Sequence, residues 1–144
     1  MLNPTDGVCL FTDGSAWYKD RIGGWAYTAF DAFGYEMIAY GTEVDTTSNR
    51  MEMTAVIRGL VYLHQELGPT DILVYSDSEY VVLGASDPSR SRRRNLDLWG
   101  QIDDAIDVNK SVTFEHVKGH AGFHYNDLVD KLAGEARLSY NEGP

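Results

Sequence analysis

Apolar and polar positions alternate along this chain in two rhythms, one of strands and one of helices. Val8, Cys9, Leu10 and Phe11 are consecutive apolar residues, the pattern of a strand covered on both faces, and they predict a first strand over 7–13. "GGWAYTAF" and "YEMIAYGTEV" predict two further strands, joined through "DAFG" as an antiparallel hairpin. From Asn49 to Leu67 the period becomes helical, with Met53, Val56, Ile57, Leu60, Leu63 and Leu67 on one face, and "GPTD" ends the run. A fourth strand over 71–76 leads into a short helix near 78–85. "SDPSRSRRRN" has no period and reads as a loop. Leu98, Trp99, Ile102, Ala105 and Ile106 mark another amphipathic helix. "SVTFEHV" alternates as a strand, "KGHAGFHYN" reads as a loop, and Leu128, Val129, Leu132 and Ala136 share the inner face of a last helix.

The order β-β-β-α-β-α-α-β-α predicts an α/β fold, a sheet with helices on its faces. In such sheets sites gather beyond the carboxyl ends of strands. Two acids, Asp13 in "FTDGS" and Asp77 in "YSDSE", follow strand ends of this kind. Each also has an ordinary explanation. Asp13 suits an Asp-Gly turn, and Ser76 and Glu79 stand at capping-box spacing around Asp77. Two more acids stand out. Glu52 matches a capping box with Asn49, yet sits in a first helical turn at the edge of the apolar stripe. Asp130 has Asn126 and Gly134 at its helical neighbours and no basic partner, while Asp127 already has Lys131. Converging at one sheet edge, four carboxylates would repel one another unless cations neutralised them. Mg²⁺ suits such a site, since it takes oxygen ligands and retains waters. Two ions about 3.5–4 Å apart support phosphodiester hydrolysis.

Composition adds constraints. Apolar residues fill 43% of 144 positions, enough for one core, and a single domain is expected over 1–144, its core at about 7–137 and a short tail at 138–144. No long apolar run suggests a membrane span. The start lacks a secretory pattern and Cys9 is the lone cysteine, so a cytoplasmic protein without an intrachain disulfide is expected. Twenty-two acids against twelve Lys and Arg give a net charge of −10. That argues against holding nucleic acid by bulk electrostatics. Yet Arg90, Arg92, Arg93 and Arg94 cluster in "SRSRRRN", as a local basic patch or as a solvated loop.

"FTDGS", "TTSNRMEM", "SDSEYV" and "VKGHAGFHYNDLVDKLA" resemble, in order and spacing, the motifs of type 1 ribonuclease H, from about residue 7 to residue 137. The resemblance implies a five-stranded mixed sheet, its first three strands antiparallel, flanked by helices. It implies a metal-dependent endonuclease cutting the RNA strand of RNA–DNA hybrids to 5′-phosphate and 3′-hydroxyl ends. Asp13, Glu52, Asp77 and Asp130 match the family's metal-binding acids, for two Mg²⁺ ions with Mn²⁺ as a substitute. His120 of "GHAG" matches a loop histidine that assists proton transfer or product departure.

Substrate contacts are expected from Gly14, Ser15, Ser48, Asn49 and Glu79, and from Arg92 and Arg93 in the loop that stands where some members carry a longer basic handle. The chain departs from the family in three places. "AWYKDRIGG" replaces a glycine- and asparagine-rich loop, Ser48 stands where asparagine is common, and Glu79 where glutamine is common. Trp17, beside that loop, is a candidate stacking surface, whereas Trp25 and Trp99 fit core positions. His116 alternates with Val112 and Phe114 and reads as a packed strand residue, His64 as a helix-surface one, and His124 as a weaker site candidate than His120. A monomer acting on an RNA–DNA hybrid, without a membrane partner, is expected. The alternatives are a broader nuclease of the same fold, a non-catalytic hybrid-binding module, or a protein using the acids as a structural ion site.

Overall fold

The computed structural model describes residues 1–87, 92–118 and 124–141. Strands β1 (Val8–Ala16), β2 (Gly23–Asp31) and β3 (Glu36–Glu43) are followed by helix α1 (Ser48–Leu67), strand β4 (Asp71–Ser76), helices α2 (Glu79–Ser86) and α3 (Leu96–Asp107), strand β5 (Ser111–His116) and helix α4 (His124–Asn141). The strands form one mixed sheet in the order β3-β2-β1-β4-β5. Both β1–β2 and β2–β3 are antiparallel, while β1–β4 and β4–β5 are parallel. The α/β class and mixed five-stranded sheet therefore match the sequence reading. No helix among the described residues is long and apolar enough to cross a membrane.

Two boundaries differ from expectation. β1 does not stop at Asp13. It continues to Ala16 because β2 supplies partners throughout, pairing Asp13 with Ala26, Gly14 with Trp25 and Ala16 with Gly23. The Asp-Gly pair is thus strand, not turn. At the other end, α4 runs through Asn141, so residues 138–141 are helical.

Helices divide between the two faces. α1, α2 and α3 share one core with the sheet, where Leu10, Met53, Val56, Leu60, Leu63, Val74, Val81, Trp99 and Ile102 are buried. These include the helical stripe that the spacing from Met53 to Leu63 predicts. α4 covers the other face, placing Val129 and Ala133 on Phe11 and Ala26. A stack of rings supports it: Phe11 lies 4.6 Å from Tyr75, and Phe30 lies 4.3 Å from Tyr125, between ring centroids. Each such contact adds roughly 0.5–1.5 kcal/mol to what burial supplies.

Close backbone approaches set where the helices sit. A Cβ on Gly14 would stand 2.2 Å from the Met51 carbonyl carbon and 2.3 Å from the Glu52 nitrogen, so β1 touches α1 there. A Cβ on Gly24 would stand 2.1 Å from the Ala133 carbonyl oxygen, so β2 touches α4. Neither glycine has a positive φ. Space, not backbone conformation, requires them. By contrast a Cβ on Gly134, within α4, would meet nothing within 4 Å. Substitutions at the two positions should therefore differ in sign. Gly24→Ala should lower unfolding stability by about 1–3 kcal/mol through overpacking. Gly134→Ala should raise it by about 0.5–1 kcal/mol through helix propensity. Urea unfolding midpoints of both variants check this.

Candidate active site

Parallel pairing of β1 with β4 ends at Thr12 opposite Ser76. The next residue on each strand is an acid, Asp13 and Asp77. β1 remains held by β2 beyond this point, whereas β4 ends, so the two carboxylates stand where the central strands part. α1 brings Glu52 to the same place through the Gly14 contact. α4 brings Asp130 one turn before Ala133, the residue packed against Gly24. One carboxylate oxygen from each of Asp13, Asp77 and Asp130 lies within 4.8 Å of the others. Glu52 joins the group beside Asp13 and the Gly14 N–H, both of which lower its carboxyl against the effect of burial. Asp13 is 3% exposed and Glu52 9%.

The ordinary explanations for these acids do not hold in the folded chain. α1 is capped by Thr47, whose hydroxyl accepts from the Arg50 N–H at 3.2 Å, so Glu52 is not part of a capping box. α2 is capped by Ser78, which accepts from the Val81 N–H at 3.2 Å. Neither Ser76 nor Asp77 is needed for that cap. The Oε2 atom of Glu52 is buried and finds no hydrogen-bond partner among the described residues. A buried, unpaired carboxylate oxygen is costly in a fold unless something else binds it.

Electrostatics point the same way. Burial pushes the Asp13 carboxyl far above the usual carboxylate range, and the charge of Glu52 adds to it. Burial also raises Glu52, opposed by its bond with Asp13 and reinforced by the charge of Asp77. Asp77 is raised by burial and by the charge of Asp130, against the lowering effects of its bond with Asp13 and of nearby His116. Without a cation, the carboxyls of Asp13, Glu52 and Asp77 therefore hold protons more tightly than ordinary carboxylates do. The donor set is all hard oxygen, which suits Mg²⁺, Mn²⁺ or Ca²⁺ and not a soft metal.

The surroundings divide the other expected site residues. Gly14 lies at the β1–α1 contact. Ser15 is half-buried on the strand leading away from Asp13. The Ser48 hydroxyl accepts from the Ala16 N–H at 3.0 Å and donates to the Ala16 carbonyl at 3.1 Å, tying the β1–β2 hairpin to the start of α1. Asn49 and Glu79 are exposed, Glu79 two residues beyond Asp77. Arg92, expected as a phosphate contact, has partners within the chain. Its guanidinium binds the Gly84 carbonyl at 2.7 Å and Asp103 at 2.6 Å, with the Trp99 ring 4.4 Å away, so its donors brace α2 against α3. Arg93 is exposed. His120 and Arg90 lie outside the described residues.

Two features escaped the sequence reading. His116 is exposed rather than packed, and its Nε2 lies 3.1 Å from the Asp77 carbonyl oxygen. It is the last residue of β5, paired with Ser76. Applying the strand-end rule to β5 as well as β1 and β4 finds it. The second is a polar cluster beside α1. Arg50 binds Asp97 through both nitrogens, at 3.1 and 2.8 Å, and Asn95 at 3.2 Å. Asn95 holds a positive φ of 59° and donates to the Tyr80 hydroxyl at 3.1 Å. The Arg50 guanidinium holds Asp97 down at about 2. Only "NRME" was legible there, because the partners arrive from α3.

The raised carboxyls set a pH dependence. A group whose folded pKa exceeds its unfolded value, about 4 for these acids, favours folding at low pH and loses that effect as pH rises. The metal-free protein should therefore lose stability from about pH 4 upward through neutrality. Asp13→Asn should flatten this slope and raise the melting temperature at pH 7.5. Calorimetric melting in EDTA across that range is the check.

A family model for RNase H matches residues 5–137. Ribonuclease H of Rhodopirellula baltica is 38% identical over 149 aligned residues, covering 92% of each chain. Ribonuclease H of Pseudomonas fluorescens strain Pf0-1 is 34% identical over 145, again covering 92% of each. Among solved structures, LC11-RNase H1 in complex with RNA/DNA hybrid superposes with a TM-score of 0.79 at 21% identity, over 93% of this chain and 99% of that one. The N-terminal RNase H domain of rv2228c from Mycobacterium tuberculosis, fused to maltose binding protein, gives 0.81 at 22% identity over 94% and 96%. These structures share the fold. With a family model matched across most of its length and relatives above 30% identity, this chain belongs to the RNase H family.

Proposed function

We propose that this protein is a divalent-metal-dependent endoribonuclease that hydrolyses the RNA strand of RNA–DNA hybrids. One observation carries the reading: four acids from β1, α1, the end of β4 and α4 converge, with a Glu52 oxygen buried and unpaired. Membership of the RNase H family supports it, as does a related fold solved with an RNA/DNA hybrid.

In this reading Asp13, Glu52, Asp77 and Asp130 are the ligands of two Mg²⁺ ions, with Mn²⁺ able to replace them. Bound there, the ions supply positive charge for a phosphodiester and lower the pKa of water. The chain's own residues do the rest. Asp13 and Glu52, held by the Gly14 contact, fix the centre of the site. Asp77 and Asp130 stand nearer solvent, where an anionic strand can approach. Hydrolysis joins a water oxygen to phosphorus and breaks the bond to the 3′ oxygen, leaving a 5′-phosphate and, after protonation, a 3′-hydroxyl. His120 is proposed to handle that proton or the departing product, since imidazole titrates near neutrality. His116, against the Asp77 carbonyl, positions the end of β4. Gly14, Ser15, Ser48, Asn49 and Glu79 are the proposed contacts to the hybrid. Telling RNA from DNA there requires contact with 2′-hydroxyls across a wide, shallow minor groove.

End-labelled RNA–DNA hybrid, RNA duplex and DNA duplex should separate this reading from its rivals. Wild-type protein should cut only hybrid RNA, with Mg²⁺ or Mn²⁺ and not in EDTA. Asp77→Asn should lower the rate by more than about a hundredfold, beyond the usual cost of disturbing a ligand's outer partners. Cutting of all duplexes would indicate a broader nuclease. Hybrid binding without cleavage in either metal would indicate a binding module.

A further inference from the structure

Helix α4 packs on β1, β2 and β3. The same face of the sheet continues onto β4 and β5, where it holds a groove of about 500 Å³. That volume is in the range of ligand sites. Strand alternation sets its floor. Val8, Leu10, Ile72 and Val74 turn into the core under α1, so Cys9, Leu73 and Thr113 turn the other way. Cys9, Leu73 and the neighbouring Phe30 are half-buried, and Thr113 is exposed. The floor is thus mostly apolar. It lies toward the strand ends away from the four acids, with Cys9 about 13 Å of extended chain before Asp13.

The rim is acidic. Asp6, Asp31, Asp71 and Glu115 line the groove, and no lysine or arginine does. None of these acids is in an ion pair among the described residues. Asp31 has an internal task, accepting from the N–H groups of Asn3 and Phe33, both at 2.8 Å, and of Tyr35 at 3.0 Å. Asp71 accepts from the Ser111 hydroxyl at 2.7 Å. Asp6 and Glu115 are exposed. The acids also have a useful spacing. Asp71 pairs with Ser111, and Glu115 lies four residues further along β5. At about 4.8 Å between strands and about 3.3 Å per residue, Asp71 and Glu115 stand about 14 Å apart. Leu73 and Thr113, paired with each other, lie midway.

We propose that this groove docks an extended basic segment of a partner protein, with the pattern basic, any, apolar, any, basic. Residues four apart in an extended segment are about 13 Å apart, and the residue midway points to the same side. The two cations then meet Asp71 and Glu115, and the apolar side chain rests on Leu73 and Thr113. Charge complementarity selects the cationic class, since the rim carries acids and no counter-charge. A second copy of this chain, itself at −10, is a poor occupant. A bare metal ion would leave the floor uncovered, whereas lysine and arginine stems lie along apolar surface with their heads at the rim. Bound here, a partner tethers the protein and leaves the edge with the four acids open. Docking does not depend on the nuclease activity.

The probe is a fluorescein-labelled peptide, Gly-Arg-Ser-Leu-Ser-Arg-Gly, titrated with the whole protein and followed by anisotropy. Binding should weaken as salt rises. Glu115→Lys and Asp6→Lys should each weaken it about tenfold, by turning attraction into repulsion, with Glu115→Gln between Glu115→Lys and wild type. Thr113→Trp should abolish it by filling the groove. A peptide with its two arginines adjacent should bind about tenfold more weakly, as should one with serine for leucine. Amide shifts in an NMR titration should centre on Cys9, Leu73 and Thr113 and spare Asp13. Melting curves confirm that each variant is folded; Glu115 is exposed, so its variants keep the test open if Thr113→Trp is not. No binding by wild-type protein would overturn the docking site. So would equal binding of the adjacent-arginine peptide, or undiminished binding by Glu115→Lys, whatever the protein does to RNA–DNA hybrid.

Discussion

Mutual repulsion among four carboxylates is the constraint around which this fold is arranged. Asp13 and Glu52 are almost fully buried, and Asp77 and Asp130 each bring a carboxylate oxygen within 4.8 Å of one from Asp13. No basic side chain pairs with any of these acids among the described residues. In water such charges would separate. Here they are forced together by a sheet whose central strands diverge at Asp13 and Asp77, and by two helices pressed onto opposite faces. The fold is stable enough to impose this, and the charge is left for protons or cations to balance.

The imposition works through contacts that are small and specific. Gly14 allows α1 to touch β1, and Gly24 allows α4 to touch β2. A methyl group at either position would displace a helix and, with it, an acid. The ring stack from Tyr75 through Phe11 and Phe30 to Tyr125 anchors the first turn of α4, so Asp130 inherits its position from apolar packing. Core and site are one mechanical unit. The β1–β2 hairpin extends the same unit, since Ser48 ties it to α1.

Much of this was legible in the sequence because the signals were periodic or local. The stripe from Met53 to Leu63, the apolar run from Val8 to Phe11 and the strand-end placement of Asp77 follow from spacing alone. The extension of β1 through Gly14 to Ala16 was not legible, because "TDGS" carries a turn signal that antiparallel pairing with β2 overrides. The partners of Arg92 were not legible for a related reason. A cluster of arginines reads as surface charge, while a partner in the next helix, Asp103, and a carbonyl at Gly84 turned one of them inward. His116 looked packed because strand alternation was read as core placement, whereas its side chain is exposed at the carboxyl end of β5. The pairing of Asp13 with Glu52, separated by 39 positions, came from motif resemblance. Its physical cause, the close approach at Gly14, needed coordinates.

The most direct test of the carboxylate cluster as a cation site is calorimetric titration with Mn²⁺ near pH 7, in buffers of different ionisation enthalpy. Cations binding where Asp13 and its neighbours hold protons should release protons, giving a heat that changes with the buffer, and Asp13→Asn should reduce that dependence. Binding with no proton release, or with the same release in Asp13→Asn, would contradict the cluster as the place where cations bind.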